Sequence, residues 1–378
     1  PPPPPPPPPL TAPAPTEIYT QVNSSAASDV YKRQDFDIAT DATPEAVHEL
    51  FRNSRIIGRR FRIVHVRFGR EIIEVTTFRG HHDKPDPEEA SPTGNVSRTS
   101  SSGRLLRDNV YGTLEEDAVR RDLTVNALYY DSGSFAVYDQ VDGMEDLDQR
   151  LVSVIGVPET RYREDPVRML RVLRFAAKLD FSIAPATAAA IAPCAHLLGD
   201  IPPARLFDEF VKLFMTGHAA AAMTQLRQHD LLRYLFPDSD AALRNDSASM
   251  ELIDTALRNT DSRIREEKPV TPAFLLAVLL WPAVRERFDQ LQRRGDPPIP
   301  AMHSAGQEVI ASAVKHVAIP RRFSIPMREI WELQIRLQRS PARKPMELVG
   351  KRRVRAAYDV LVLREQAGEA TAGMGQWW

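Results

Sequence analysis

Two carboxylates two residues apart are the clearest chemical signal in the sequence. Asp35 and Asp37 lie in the stretch DFDIAT, whose alternation of polar and apolar residues predicts a β-strand. Side chains two apart on a strand share one face, with Cα atoms roughly 6.6 Å apart at about 3.3 Å per residue. Both carboxylates can therefore reach one metal ion or a close pair of ions, an arrangement used for in-line transfer at phosphorus.

A site of this kind usually needs a third carboxylate. Glu74, in EIIEVTTFR, can supply it from a predicted hairpin strand, and Glu71 is the alternative. Two aspartates at this spacing also occur at strand ends and turns without any metal. The metal assignment therefore depends on the motifs that follow.

A second motif, RRDLTVNAL, carries a carboxylate and an amide four residues apart. On the helix that we predict here, Asp122 and Asn126 share one face, and Arg121 lies beside them. Such groups bind ribose hydroxyls, and a guanidinium suits phosphate. The alternative is an exposed Arg–Asp pair on an amphipathic helix.

A third motif, REDPVRMLRVLRFAAKL, predicts a helix with Asp165 as N-cap and Pro166 as its first residue. Its apolar residues follow the spacing of a buried stripe: Met169, Val172, Leu173 and Ala176. Three arginines fall away from that stripe: Arg168, Arg171 and Arg174. Asp165 and Arg168, one turn apart, can face a base edge together; the alternative is a helix cap with a solvated basic face.

The remaining patterns predict the elements that position these residues. TPEAVHELFRN predicts a helix capped by Thr43, and the alternating residues around Gly69 predict a β-hairpin. Residues 113–131 predict a helix, and residues 134–140 a final strand. Residues 81–110 are polar and Ser-rich, which predicts a mobile loop. Helical patterns alone follow residue 160, so the fold class is α+β.

The bulk composition of the 378 residues is that of a globular protein, with 43% hydrophobic and 26% charged residues. We expect neither a membrane span nor a signal peptide. The single cysteine, Cys194, suits a reducing cytoplasm. Net charge is −1, but residues 320–355 hold 11 lysines and arginines against three glutamates, a local charge of +8. This basic segment predicts nucleic-acid binding, unless it is a solvated helix face.

The first 34 residues are of low complexity and open with nine prolines. The first methionine is Met144, and SSAASDVYKRQ is similar to translated adapter sequence. We expect residues 1–34 to be disordered and foreign to the native protein.

Taken together, D-x-D, EVTTFR, RRDLTVNAL and EDPVR resemble the class II nucleotidyltransferases of the polymerase-β superfamily. That group includes bacterial poly(A) polymerases and CCA-adding tRNA nucleotidyltransferases. The segment NSRIIGRRFRIVHVRFGREIIEVTTFRGHH and the C-terminal tail are more similar to the poly(A) polymerases. The likeness runs from about residue 35 to about residue 365.

This resemblance implies a small mixed-sheet head of the polymerase-β palm type over residues 35–160. It also implies a helical neck over 161–225 and a helical body over 226–378. The activity implied is template-independent addition of AMP from ATP to RNA 3′ ends with two Mg²⁺ ions. CCA addition to tRNA is the alternative.

The resemblance also assigns roles to individual residues. Asp35 and Asp37 would hold the metals, and Glu74 would match the third acidic position. Seven residues would bind ATP: Arg121, Asp122, Asn126, Asp165, Arg168, Arg171 and Arg174. Six basic residues would contact RNA: Arg321, Arg322, Lys351, Arg352, Arg353 and Arg355.

One departure from the family pattern is large. The family places Gly-Gly-x-Val-Arg-Asp before the paired aspartates, where its backbone amides and arginine hold the triphosphate. The 378 residues contain no Gly-Gly pair. We therefore expect a truncated phosphate cradle, an exposed sheet edge and weak activity in this chain, with a catalytically impaired RNA-binding protein as the further alternative.

Overall fold

The computed structural model describes residues 18–21, 37–58, 62–80, 98–99, 105–107, 110–244, 246–338 and 348–378. The chain divides into two compact units, Pro1–Glu164 and Asp165–Trp378. The first is built on a mixed β-sheet and the second is almost entirely helical, which confirms the predicted α+β class. Within these ranges, no helix is long and apolar enough to cross a membrane.

Seven strands form the sheet of the first unit, in the order β3-β4-β5-β2-β1-β8-β9. All neighbours are antiparallel except β2 and β5, which run parallel. The strands are β1 (Ile18–Gln21), β2 (Asp37–Thr40), β3 (Ser54–Ile57), β4 (Ile63–Phe68), β5 (Glu71–Thr77), β8 (Leu128–Asp131) and β9 (Ala136–Asp139). Strand β10 (Leu151–Val152) lies outside this sheet.

Strand β1 corrects the expectation that residues 1–34 are wholly disordered. Residues 18–21 pair with both β2 and β8, so they lie inside the sheet. Strand β2 is consequently not an edge strand, contrary to the prediction of an exposed edge at this position. Ile18, Tyr19 and Thr20 are residues enriched in strands, a short signal within a segment that the proline run led us to exclude.

Local sequence signals explain the elements on one face of the sheet. Helix α1 (Pro44–Leu50) begins as predicted, because the Thr43 side chain accepts a hydrogen bond from the Ala46 amide at 3.2 Å. Strands β4 and β5 form the predicted hairpin, and Gly69 adopts a φ of +60° in its turn. Three valines of this face, Val64, Val66 and Val75, are buried against Val47 of α1.

The helix predicted over residues 113–131 is wrong beyond Arg120. Helix α2 (Leu114–Arg120) starts with a capping box between Thr113 and Glu116, and then the backbone turns extended at Arg121. A short 3₁₀ helix (Thr124–Asn126) and strand β8 follow. Leu123, in extended conformation before the 3₁₀ helix, and Tyr129, on β8, are both fully buried, so this segment packs into the core without continuing α2.

The predicted mobile loop over residues 81–110 lies mostly outside the described residues. Within it, β6 (Arg98–Thr99) pairs with β7 (Leu105–Arg107). Two helices complete the first unit: α3 (Gly143–Asp148) and α4 (Pro158–Glu164). The Arg161 guanidinium donates to the carbonyls of Arg120 and Arg121 at 2.7 and 2.6 Å, so α4 packs with this unit. The structural boundary therefore follows Glu164 rather than residue 160.

The second unit consists of packed helices and one two-residue strand, β11 (Ser182–Ile183), which the sequence did not predict. Its longer helices are α5 (Val167–Leu179), α8 (Pro203–Phe214), α9 (Ala219–Gln228), α12 (Ser247–Arg265), α13 (Pro272–Leu279), α14 (Trp281–Arg293), α15 (Pro298–Ala313), α16 (Arg321–Gln338) and α17 (Val354–Gln366). The shorter ones are α6 (Pro185–Ala189), α7 (Ile191–Cys194), α10 (Leu232–Leu235), α11 (Pro237–Leu243) and α18 (Met374–Trp377), with a 3₁₀ helix over Ala195–Asp200.

Helix α5 confirms the predicted apolar stripe. Four of its side chains are at most 2% exposed: Met169, Val172, Leu173 and Ala176. The helix starts one residue later than predicted, with Pro166 at the N-cap position. Asp165 still accepts a hydrogen bond from the Val167 amide at 3.3 Å, so its carboxylate caps the first turn.

Candidate active site

Three polar side chains form a row across neighbouring strands of the first unit. Asp37 on β2 is the register partner of Glu74 on β5, and Glu74 is in turn the partner of His65 on β4. Neighbouring strands lie about 4.8 Å apart, so the three Cα positions line up across the sheet. We call His65, Glu74 and Asp37 the polar row.

The polar row lies on the sheet face opposite to α1. Val75 follows Glu74 and packs in the valine cluster against α1, so Glu74 must project to the other face. The Glu74 side chain is 47% exposed and that of His65 is 27% exposed. Ala39, two residues after Asp37 on this face, packs in a core cluster with α2 residues, so α2 covers one part of the face.

The register also separates the two candidates for the third carboxylate. Glu71 lies three residues before Glu74 and therefore projects to the opposite face, where it is exposed at the start of β5. Its register partner is Phe68, at the end of the hairpin. Of the two glutamates, only Glu74 shares a row with Asp37.

The donor set of this row suits a hard divalent cation, because Mg²⁺ prefers carboxylate oxygens. Asp35, the other predicted metal ligand, lies outside the described residues. Among the residues that the structure describes, no three histidine, cysteine or acidic side chains are grouped closely enough to hold a metal. Asp37 and Glu74 thus bring two carboxylates to one row of the sheet.

Arg121, a predicted phosphate ligand, belongs to a buried hydrogen-bonded triad with Asp117 and Tyr129. Its Nε atom donates to the Tyr129 hydroxyl at 2.7 Å, and its Nη2 atom donates to Asp117 Oδ2 at 2.8 Å. The Tyr129 hydroxyl donates to the same carboxylate oxygen at 2.6 Å. Burial raises the pKa of Tyr129, which keeps this donor protonated. The triad fixes Arg121 at the end of α2.

Asp122 and Asn126 do not lie on one helix face, as the sequence predicted. Asp122 directly precedes Leu123, which has an extended backbone and forms an isolated antiparallel bridge with Val154. The Asp122 carbonyl accepts the Ile155 amide at 3.2 Å, whereas Asn126 ends the 3₁₀ helix. Both side chains are half-buried, but the i, i+4 geometry is absent because α2 has already ended.

In the second unit, the Asp165 carboxylate contacts a residue that the sequence analysis did not single out. Arg205, on α8, donates from Nη2 to Asp165 Oδ2 at 2.5 Å. The other oxygen, Oδ1, accepts the Val167 amide. Arg168 follows Asp165 by three residues on α5, as the motif predicted. No local pattern links residues 165 and 205, because only helix packing brings them together.

Arg174 is also engaged by α8. Its Nη1 atom lies 3.6 Å from Oε2 of Glu209, whose side chain is only 4% exposed. Lys212 donates from Nζ to the other oxygen of Glu209 at 2.9 Å. The positive charges of Arg174 and Lys212 therefore compensate the buried carboxylate of Glu209. Arg171 lies one turn before Arg174 on α5.

The basic residues predicted to bind RNA are largely exposed. Arg321 and Arg322 lie at the start of α16, and Lys351 and Arg352 precede α17. Arg355 has an 84% exposed side chain with an ion pair to Asp359 at 3.1 Å. Half-buried Arg353 pairs with Glu329 at 3.4 Å.

Comparison with known protein families gives three matches along the chain. Residues 29–153 match the poly A polymerase head domain. Residues 180–243 match a family described as "probable RNA and SrmB-binding site of polymerase A". Residues 294–378 match the polymerase A arginine-rich C-terminus.

Individual relatives agree with these matches. Poly(A) polymerase I of Salmonella typhimurium is 46% identical over 352 residues, covering 92% of this chain and 75% of the relative. The CCA-adding enzyme of Bacillus subtilis is 29% identical, covering 93% and 86% of the two chains.

Among solved structures, the Bacillus stearothermophilus CCA-adding enzyme in complex with CTP has a TM-score of 0.58 at 22% identity, covering 96% of this chain and 76% of the other. This likeness shows a shared nucleotidyltransferase fold. The much higher identity to the Salmonella enzyme separates this chain from the CCA-adding enzymes. The chain belongs to the bacterial poly(A) polymerases, a family of nucleotidyltransferase enzymes.

Proposed function

We propose that this protein adds AMP units from ATP to the 3′ end of RNA without a template. The observation that supports this most directly is the pairing of Asp37 with Glu74 on one open face of the sheet, in a chain of the poly(A) polymerase family. In this reaction the RNA 3′ oxygen forms a bond to the α-phosphorus of ATP. The bond from that phosphorus to the β-phosphate oxygen breaks, and pyrophosphate leaves.

Asp35 and Asp37 are the proposed metal ligands, with Glu74 as the third carboxylate. When bound, two Mg²⁺ ions would supply activation of the 3′ hydroxyl and neutralisation of the triphosphate. The role of the protein is to hold the carboxylate oxygens in fixed positions. The register of β2 with β5 supports this role, because it aligns Asp37 with Glu74.

We assign nucleotide recognition to the residues of the second and third motifs. Asp165 can accept a hydrogen bond from the adenine amino group, and Arg168 can donate to an acceptor nitrogen on the same base edge. Arg171 and Arg174 are assigned to phosphate. Arg121, Asp122 and Asn126 are assigned to the sugar and phosphate; the triad with Asp117 and Tyr129 supports a fixed position for Arg121.

RNA binding is assigned to the exposed basic residues: Arg321, Arg322, Lys351, Arg352, Arg353 and Arg355. Contacts from such side chains to the phosphate backbone accept many sequences, as an enzyme acting on varied RNA 3′ ends requires. Within the second unit we retain the division into a neck up to about residue 225 and a body after it. Buried Cys194 is the single cysteine, which suits the reducing cytoplasm.

The test is extension of a labelled oligo(A) primer with Mg²⁺ and each nucleoside triphosphate in turn. We expect long products with ATP alone, and none after Asp37→Asn. Addition limited to C-C-A on a tRNA primer would instead support the CCA-adding alternative.

A second candidate is an RNA-binding protein with impaired catalysis, which the absence of a Gly-Gly pair favours. It predicts salt-sensitive RNA binding without extension, even at high protein concentration. A chimaera in which residues 1–34 are replaced by a segment carrying Gly-Gly-x-Val-Arg-Asp tests it. If only the chimaera extends RNA, the second candidate holds for the present chain. The same result would show that residues 35–378 can act as the enzyme once the new segment is joined to them.

A further inference from the structure

The middle member of the polar row, Glu74, has a hydrogen-bond partner that neither the sequence motifs nor the family comparison assigns. His65 Nε2 lies 3.0 Å from Glu74 Oε1 across the β4–β5 ladder. We propose that His65 is a positioning residue that holds the Glu74 carboxylate in the orientation needed to bind a divalent cation. This inference rests on the proposed role of Glu74 as the third carboxylate.

The chemistry of the pair fixes its direction. A carboxylate without a proton can only accept hydrogen bonds, so Nε2 of His65 must carry the hydrogen that it donates to Oε1. The donation uses one oxygen of Glu74 and leaves Oε2 for a cation. A histidine that bonds one oxygen of a metal-binding carboxylate thereby determines which oxygen faces the cation. Hydrogen-bond partners of metal ligands generally orient them in this way.

The register explains why His65 can do this and its neighbours cannot. His65 and Glu74 are directly opposite each other, the closest side-chain relationship between antiparallel strands. Val64 and Val66, on either side of His65, project into the core against α1. Arg67 shares the face of His65, but its register partner is Ile72.

A purely structural role does not account for the pair. The hairpin already has six register pairs and a valine core, whereas the His65–Glu74 contact is partly exposed to solvent. Such exposed pairs contribute little to folding stability. A glutamate side chain that is held before the cation arrives, however, loses less rotamer freedom on binding.

The experiment compares His65→Ala, His65→Gln and His65→Asn by titration with Mn²⁺, following free Mn²⁺ by electron paramagnetic resonance. The side-chain nitrogen of glutamine can replace Nε2, whereas that of asparagine replaces Nδ1. We expect Ala and Asn to weaken Mn²⁺ binding about 10-fold or more, the usual effect of losing a ligand's partner, and Gln to restore most of it. The Mg²⁺ concentration for half-maximal extension should rise in parallel, with the KM for RNA unchanged.

His48→Asn is the matched control, because His48 also bonds a side-chain oxygen of this unit, Ser54 Oγ at 2.8 Å, away from the polar row. Its Mn²⁺ affinity should equal that of the wild type. In a Glu74→Gln background, His65→Ala should have no further effect on Mn²⁺ binding, since it acts through Glu74. Circular dichroism and thermal unfolding identify any variant that fails to fold.

Equal Mn²⁺ affinity in wild type, His65→Ala and His65→Gln would overturn the inference. Equal losses in His65→Ala and His65→Gln would also overturn it, because the donor atom would then be irrelevant. If Asp37→Asn and Glu74→Gln themselves left Mn²⁺ binding and extension intact, the proposed function would fail first. The two failures are therefore distinguishable.

Discussion

Arg205 donates a hydrogen bond at 2.5 Å to Asp165, forty residues earlier in the chain. The pair joins the start of α8 to the residue that caps α5, and it occupies the carboxylate assigned to adenine recognition. A base-reading carboxylate that is already held by a guanidinium has fewer rotamers to lose when the nucleotide binds.

We therefore predict that Arg205→Ala raises the KM for ATP about tenfold, the effect of losing roughly 1.4 kcal/mol of a charge-assisted hydrogen bond. Arg205→Lys should retain part of the effect. Single-nucleotide incorporation with ATP and with CTP measures both affinity and selectivity. Unchanged KM values in the alanine variant would show that Asp165 needs no such partner.

The register predicts different outcomes for two glutamates on one strand. Glu74→Gln should lower kcat by about 100-fold, because the amide removes one charge from the proposed metal ligands. Glu71→Gln makes the same change on the opposite face and should leave kcat within about twofold. Primer extension under saturating ATP and Mg²⁺ is the measurement, and a larger loss from Glu71→Gln would contradict the assignment.

Tyr129→Phe tests the buried triad. The change removes a hydroxyl that donates to Asp117 and accepts from Arg121, so both charged groups lose a partner. We expect a loss of about 1–3 kcal/mol in the free energy of unfolding, measured by urea denaturation. The matched control is Tyr130→Phe, at the adjacent half-buried position, which should stay within about 0.5 kcal/mol of wild type.

The same triad predicts a pH dependence at alkaline pH. Burial raises the pKa of Tyr129 in the folded protein above its usual value near 10. Its contribution to stability is fully present below about pH 10 and is lost as pH rises toward the folded pKa, because the unfolded chain releases this proton first. Tyr129→Phe should therefore lose stability less steeply than wild type above pH 10. Parallel curves of urea midpoint against pH would refute this.

The exposed basic residues before α17 predict a salt effect on RNA binding. Replacing Lys351 and Arg352 by alanine should weaken oligo(A) binding and make the slope of log K against log salt about 1.4 less negative, at roughly 0.7 per lost contact. Fluorescence anisotropy over a range of salt concentrations measures the slope. Arg258→Ala serves as control, since Arg258 is exposed but paired with Glu251 at 3.1 Å. A slope identical to wild type would remove these residues from the RNA site.

Three signals carried by residues close together in the chain were predicted correctly from the sequence. The Thr43 cap, the Gly69 turn and the apolar stripe of α5 each depend on local geometry, and each is present in the structure. The likeness of the motifs to poly(A) polymerases was equally specific, and the 46% identical Salmonella relative agrees with it.

Relationships between distant segments were not predictable in this way. The pairing of Asp165 with Arg205, and the placement of His65 beside Glu74, depend on helix packing and strand register. The helix predicted over 113–131 failed for a related reason. Its charged first turns favour helix, but burial of Leu123 and Tyr129 in extended chain overrides that preference.

The sheet register has a further consequence for how the protein reaches its working form. The His65–Glu74 contact lies within one local hairpin, whereas Asp37 reaches Glu74 only after the chain between β2 and β5 has folded. Hairpins form in microseconds, and non-local pairings form later. A slip of β2 by one residue against the finished hairpin would turn Asp37 toward the valine core and Ile38 to the opposite face. The apolar packing against α1 thus selects the correct register, because a chain in the shifted register cannot bring Asp37 and Glu74 to the same face of the sheet.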